Sequence, residues 1–451
     1  MDDPQALQDH LSGALFALWF ATLGADRLDL LVGQGPFKLS PVLILTPLLV
    51  AMEIFRLMRQ GGRFRVPPNA VAYALVASAF LSVVLLSVLY SFDIQSSAQR
   101  YALLAFQLYS TLVVGVALAQ RPDARALLVR GAYWGLALGT LFNAVQLGAW
   151  FLNGDDELML LGGILDMTPN TYGSFIPRLS AQALDVNRGG ILLLVYSFLL
   201  VRLAPRSKVR ALWVTAGVLG IVLTLSRSVM LGLVGTAIAL LLSGRRLRFT
   251  RRRAVGTALV VAAVCAGFLA SPRTAVSVGE ALEPLGQRFS TREGSASIHL
   301  QLIGRGVEIA THSPKNTVIG IGYGNSYAYL QDYFPGDKHG NFHSLYLTLL
   351  TECGGLALLL GIALIAFAAF KGGIYIPLIA GFAFFNIFYQ TTAEAIFWFS
   401  LVLGWTRVGD PTLDARAAPR KDHHAEAQRR RERTTERSIT RRPQKESKAT
   451  E

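Results

Sequence analysis

Apolar residues run along this chain in long unbroken blocks, each closed by a short polar cluster. The blocks cover residues 11–24, 41–57, 69–91, 97–119, 131–152, 188–203, 212–225, 229–242, 254–271, 343–370, 374–389 and 391–405. A membrane helix needs about 20 predominantly apolar residues. The pattern therefore predicts an all-α polytopic membrane protein with about 12 transmembrane helices. Two long segments break the rhythm, 153–187 and 272–342. In the second, 275–289 and 298–310 place apolar residues near helical spacing, which predicts short amphipathic helices on the membrane surface.

Composition agrees, at 52% hydrophobic and 16% charged, against about 25% charged in soluble domains. The formal charge of +14 raises nucleic acid as a partner, but its placement argues for orientation in a bilayer. Alternate loops are basic: Arg56, Arg59, Arg63 and Arg65; then Arg121, Arg125 and Arg130; then Arg202, Arg206, Lys208 and Arg210; then GRRLRFTRRR at 244–253. Lys/Arg excess marks the cytoplasmic side. Twelve helices with both termini cytoplasmic put every basic loop there, and leave both long segments outside. The basic charge then meets anionic membrane lipids, and no nucleic acid is expected. The acidic flank MDDPQALQDH predicts a retained first helix rather than a cleaved signal. The division expected is a membrane domain over 1–406, including the outer loop 272–342, and a basic, disordered cytoplasmic tail over 407–451.

Candidate chemistry collects on the outer side, where charge at membrane depth is costly and marks function. Arg178, Asp185, Arg188, Arg227, Arg288, Arg292, Arg305, His339, His343 and Glu394 fall there. Arg227, in the tight turn Ser226-Arg227-Ser228, is either a snorkelling interfacial arginine or an anion clamp at a helix N-terminus. Arg188 follows Asp185 and Asn187, two residues suited to capping a helix; it forms a local ion pair or binds phosphate. Arg178, eleven before Gly189, and Arg288 and Arg305 are either surface charges or substrate contacts. His343 heads an apolar run, where a proton acceptor near neutral pH is expected; His339 is more exposed. Glu352 reads as a buried structural acid, and the Asp155-Asp156-Glu157 cluster as a solvated loop rather than a metal site for sugar-diphosphate chemistry. Cys265 and Cys353 form no metal or disulfide spacing. No P-loop and no dinucleotide fingerprint is present, so no cofactor or metal is expected. Arginines and a histidine on an outer face suit a lipid-borne diphosphate, since arginine binds it bidentately and stays charged.

The motifs and their order resemble the O-antigen ligase and O-antigen polymerase superfamily. HSLYLTLLTECGG at 343–355, LTLSRSVMLG at 223–232, QRFS at 287–290 followed by Arg305, and IGIGYG at 319–324 carry the likeness. Many members have asparagine where this chain has Ser344. The resemblance implies a GT-C-like bacterial inner-membrane glycosyltransferase with a periplasmic active site. It implies transfer of O-antigen glycan from undecaprenyl diphosphate to lipid A-core, without cofactor or metal. His343 would be the base, with Arg227 and Arg288 on the diphosphate. Arg188, Arg305, His339 and Arg178 are further candidate contacts to diphosphate or glycan. O-antigen polymerase and protein O-oligosaccharyltransferase share these motifs. A lipid-glycan flippase is the rival of another class; it predicts charge deep along a path and helices broken at midplane.

Overall fold

The structure, a computed structural model, describes residues 4–30, 40–59, 66–154, 156–168, 177–242, 294–336 and 340–410. The chain divides into two units, Met1–Val408 and Gly409–Glu451, and only Gly409 and Asp410 of the second are described. The first unit is mostly helical. Its helices are α1 (Pro4–Ala21), α2 (Pro41–Arg59), α3 (Pro68–Leu89), α4 (Ile94–Ala119), α5 (Ala124–Asn153), α6 (Val186–Leu203), α7 (Lys208–Leu223) and α8 (Arg227–Leu242). After the undescribed stretch follow α9 (Gly294–Thr311), α10 (Pro314–Val318), α11 (Ser326–Tyr329), α12 (Leu345–Lys371), α13 (Ile376–Phe385) and α14 (Ala395–Thr406).

Among the described residues, six helices are long and apolar enough to cross a membrane: α2 to α6 and α12. The chain is a multi-pass membrane protein. Its outward apolar side chains, such as Leu75 on α3 and Leu359 and Phe370 on α12, face the hydrocarbon a bilayer supplies. The predicted helices at 254–271 and 275–289, the basic run 244–253 and the tail beyond Asp410 lie outside the described residues.

Local chemistry sets the helix starts. Pro67 and Pro68 open α3, where a missing N–H costs nothing. Asp93 caps α4 by accepting from Ser96 N–H at 3.0 Å. Ser207 and Ser313 cap α7 and α10 in the same way. The core is aromatic at its centre: Trp19 meets Phe399 edge-on at 5.2 Å, and Phe20 meets Tyr196 at 5.3 Å. The Tyr196 hydroxyl donates to the Phe20 carbonyl at 2.7 Å, so its polar tip is satisfied in that core.

Two of the basic-loop arginines do not face lipid heads. Arg56 and Arg121 are buried. Arg121 donates to Glu53 at 3.2 Å, to Ser12, and through both ends of its fork to Asp123 at 2.9 and 3.0 Å. Arg56 donates to Glu53 at 2.8 Å and to the Ala117 carbonyl at 3.1 Å. A charge without a partner is too costly to bury, so these residues pull the ends of α1, α2 and α4 into one network.

Arg27, between the first two apolar runs, is also buried. Its guanidinium donates to Ser180 Oγ at 2.7 Å and to the carbonyls of Ala183 and Asp166, each at 2.8 Å. Asp166 N–H donates to the Arg27 carbonyl at 3.0 Å. Nearby, β1 (Met159–Leu160) and β2 (Leu165–Asp166) pair antiparallel. One arginine thus folds much of the 153–187 segment onto the end of α1. Asp156 and Glu157 remain exposed, and Asp155 is undescribed.

Candidate functional site

Three helices begin beside one short connection, residues 386–394 between α13 and α14. The first is α6. Asp185 accepts from the N–H groups of Asn187 and Arg188 at 2.8 and 2.9 Å, capping the helix as the sequence suggested. Arg188 then reaches across the fold. Its Nε donates to Glu394 Oε1 at 2.7 Å, and its Nη1 to Asp26. The local pair expected with Asp185 is therefore a bridge between two distant carboxylates. That arrangement occupies much of the guanidinium proposed from sequence as a phosphate contact.

The second is α8. It begins at Arg227, two residues earlier than the apolar pattern indicated, with Ser226 as its cap: Val229 N–H donates to Ser226 Oγ at 3.2 Å. Leu225 takes a left-handed conformation, φ 49°, to make the turn out of α7. Ser228 Oγ donates to the Phe388 carbonyl at 3.0 Å, tying this helix start to the connection. Ser226 Oγ donates to Asn187 Oδ1, which joins the starts of α6 and α8. Arg227 is half-buried at this junction. Arg178 lies on the other side of the same turn, donating from Nε to the Thr224 carbonyl at 3.2 Å.

The third is α12. The apolar run suggested that His343 opens it, but Ser344 is the cap and Leu345 the first helical residue. Asparagine and serine are both good N-caps, which explains physically why either can follow the histidine. Leu345 N–H donates to the Asn386 and Tyr389 carbonyls at 3.0 and 2.9 Å. His343 stands just outside the helix with φ 50°. Non-glycine residues in this region are uncommon, histidine being among the more tolerant. Its N–H donates to Asn341 Oδ1 at 2.8 Å, and its ring meets Phe334 edge-on at 6.1 Å. Behind it lies a second small core of Leu302, Ile309, Ile321, Leu330, Phe342 and Leu347. That core seats the outer segment against α12 and fixes the backbone next to His343.

Connection 386–394 is partly buried and cross-braced. Asn386, Thr391, Thr392 and Glu394 are all buried. Thr391 Oγ1 donates to Asn386 Oδ1 at 2.9 Å, and Trp398 Nε1 to the Thr392 carbonyl at 2.9 Å. Each helix N-terminus carries roughly half a positive charge. Three such ends are therefore hydrogen-bonded to one connection, with Arg227 and His343 at two of them.

A different joint holds the outer segment. Gly354 breaks α12 with φ 83°, ψ 174°, where the apolar pattern indicated a continuous helix. The break frees the carbonyls of Thr351 and Glu352, which accept from the N–H groups of Ile321 and Gly322, each at 3.0 Å. Ser87 Oγ on α3 also donates to the Glu352 carbonyl, at 2.7 Å. The glycines are a steric requirement. A Cβ on Gly354 would lie 2.1 Å from the Val318 carbonyl oxygen, and one on Gly320 2.3 Å from the Glu352 backbone. The Glu352 carboxylate accepts from Gly324 N–H at 2.8 Å, from Ser326 N–H at 3.2 Å and from Ser326 Oγ. The glycine-rich run and the acid–glycine–glycine run are thus two halves of one joint. A broken membrane helix is also what a flippase predicts, but here the freed backbone groups are filled by the same chain.

Arg305 lies on α9 and pairs with Glu308 one turn on, at 2.9 Å. The helix itself does not lie free on a surface: Leu302 is buried, and Thr351 Oγ1 on α12 donates to the Gly306 carbonyl at 3.3 Å. Arg288, Arg292 and His339 lie outside the described residues. Sequence reasoning missed Asp26 as the partner of Arg188, and missed connection 386–394 apart from Glu394. The available signal was NIFYQTTAE at 386–394, whose polar residues sit between two strongly apolar runs. Among the described residues, no group of three or more His, Cys, Asp or Glu side chains is placed to hold a metal ion.

A multi-pass membrane protein thus gathers buried ionic bridges at helix ends, a histidine on a left-handed turn and a segment locked to a broken helix. Residues 211–362, about a third of the chain, match the family model described as O-antigen ligase. The stretch from α7 into α12 is therefore similar to the O-antigen ligase family. No curated protein matches the chain. The matched span contains Arg227, Arg305, His343 and the Glu352–Gly354 joint; Arg178, Arg188, Asp26 and Glu394 fall outside it.

Proposed function

We propose that the protein transfers an O-antigen glycan from undecaprenyl diphosphate to the lipid A-core oligosaccharide. The reaction runs on the periplasmic face of the bacterial inner membrane, in a twelve-helix frame with both termini cytoplasmic. The observation that carries this reading is the meeting of three helix N-termini at connection 386–394, beside Arg227 and His343. Converging dipoles and arginine favour a bound diphosphate.

In the step proposed, a hydroxyl oxygen of the acceptor attacks the anomeric carbon of the glycan. The bond from that carbon to the diphosphate breaks, and its electron pair leaves with the phosphate oxygen. His343 takes the hydroxyl proton as general base. Arg227, with Arg288 from the undescribed part of the outer loop, stabilises the charge building on the leaving diphosphate. Arg178 is close enough in the fold to assist Arg227, through the turn they share. Arg188, held between Asp26 and Glu394, positions the α6 start rather than gripping phosphate alone. Arg305 and His339 serve as outer contacts to the glycan. The energy resides in the sugar–diphosphate bond, so the step uses no ATP, and the arginines take the part of a metal in balancing the leaving charge.

The test is a reconstituted transfer. Purified protein is mixed with lipid-diphosphate glycan and lipid A-core, with no ATP and no added metal. Glycosylated lipid A-core that is lost with His343→Ala supports the proposal. Product unchanged by that substitution refutes the role of His343, and lengthened glycan still on its polyprenyl carrier identifies a polymerase.

A further inference from the structure

At the far end of α6 from Arg188 lies a cleft of about 650 Å³ between the first turns of α5 and the chain leaving α6. With 1.5 Å of rise per residue, α6 separates the two ends by about 25 Å. Arg125 and Arg130 stand at the cleft, and Val129, Tyr133, Trp134 and Leu203 form its apolar wall. Arg125 is anchored: its Nε and Nη2 donate to the Leu203 carbonyl at 2.9 and 2.7 Å. Arg130 is exposed and makes no hydrogen bond or ion pair among the described residues. The one acid lining the cleft, Asp123, already has both carboxylate oxygens bound to Arg121. The cleft is therefore cationic. Beyond Arg130 the exposed face of α5 continues through Trp134 and Leu141, 64% and 58% exposed, at helical spacing.

The geometry points to a binding site for one anionic phospholipid, separate from the proposed transfer site. Its phosphate sits between Arg125 and Arg130, and its acyl chain lies along Trp134 and Leu141. Charge complementarity selects this occupant: two cations with no free acid favour phosphatidylglycerol over zwitterionic phosphatidylethanolamine. The apolar stripe favours a lipid tail, and the volume falls within the range of small-molecule sites. Arginine at the head and tryptophan below it match the order of groups across a membrane interface.

The experiment uses the full-length protein in detergent. It is titrated with 1-palmitoyl-2-oleoyl-phosphatidylglycerol and, separately, with the corresponding phosphatidylethanolamine, and bound lipid is read by native mass spectrometry. Wild type is expected to retain phosphatidylglycerol preferentially. Arg130→Gln should weaken that retention about fivefold, while Arg59→Gln, on a different basic helix end, should not. Trp134→Ala, which leaves both arginines in place, should also lower retention; melting temperatures confirm that each variant is folded. Equal retention of the two lipids by wild type overturns the site. So does an Arg130→Gln variant that binds like wild type, or an Arg59→Gln variant that loses as much.

Discussion

Replacing Glu352 is the sharpest test of how the outer segment is held. Its carboxylate, on a residue only 2% exposed, accepts from Gly324 N–H, Ser326 N–H and Ser326 Oγ. Alanine leaves all three donors buried and unpaired. An unsatisfied buried donor costs about 1–3 kcal/mol, so the three together cost about 3–6 kcal/mol after partial relaxation. Glutamine keeps one acceptor oxygen but turns an NH2 group toward other donors, and should cost about 1–3 kcal/mol. The loss falls first on residues 320–334, which the joint holds, and only secondarily on the helix bundle. Hydrogen–deuterium exchange in detergent reads this directly. About 3 kcal/mol corresponds to roughly a hundredfold faster exchange near Ser326, with α3 and α6 little changed. The transfer reaction should fail in parallel, because Phe334, in the same segment, packs on His343. Unchanged exchange over 320–334 in the alanine variant would show that the acid does not hold the joint, and the reasoning would fall.

Three further outcomes follow from the packing. Glu394→Gln removes one of the two carboxylates on Arg188 and should lower stability by about 1–3 kcal/mol, read by thermal unfolding in detergent; an unchanged melting temperature denies the bridge its role. Ser344→Ala should cost about 1 kcal/mol through loss of the α12 cap, whereas Ser344→Asn should lie within a few tenths; equal losses in the two variants would mean the hydroxyl is not acting as a cap. The third concerns acid stability. The bidentate hydrogen bond from Arg121 holds the Asp123 carboxyl below its usual range. Its contribution is complete above the ordinary aspartate value near 3.9 and is lost as pH falls through the lowered one. The melting temperatures of wild type and Asp123→Asn should therefore differ at pH 7 and converge in strong acid, and a constant gap would contradict the assignment.

The apolar runs located the described helices to within a few residues at most ends, because length and hydropathy are local properties. What they could not reveal was pairing over long separations. Arg188 and Asp26 lie 162 positions apart and Arg188 and Glu394 206 apart; nothing near any of them announces the bridge. The burial of Arg56 and Arg121 was hidden for a related reason. A loop rich in arginine looks the same whether its charges face lipid heads or clamp Glu53, although Glu53 three residues before Arg56 was a readable hint. The break at Gly354 was invisible to hydropathy, since glycine is common in membrane helices and only the arrival of residues 320–324 shows why this one must bend. His343 stood out in sequence because a polar group heads an apolar run, but its left-handed backbone was not legible there, nor was the contact of its ring with Phe334, which the fold makes.

The joint at Gly354 also bears on how the protein is made. Carbonyl groups left open in hydrocarbon cost several kcal/mol each, and the break exposes those of Thr351 and Glu352. Their partners, Ile321 and Gly322, precede them in the chain. During synthesis the outer segment therefore exists before α12 enters the bilayer, and α3, which supplies Ser87, is older still. Biogenesis can thus bring α12 in against partners that are already waiting. A chain in which residues 320–324 were moved behind α12 would have to insert that helix with its backbone open.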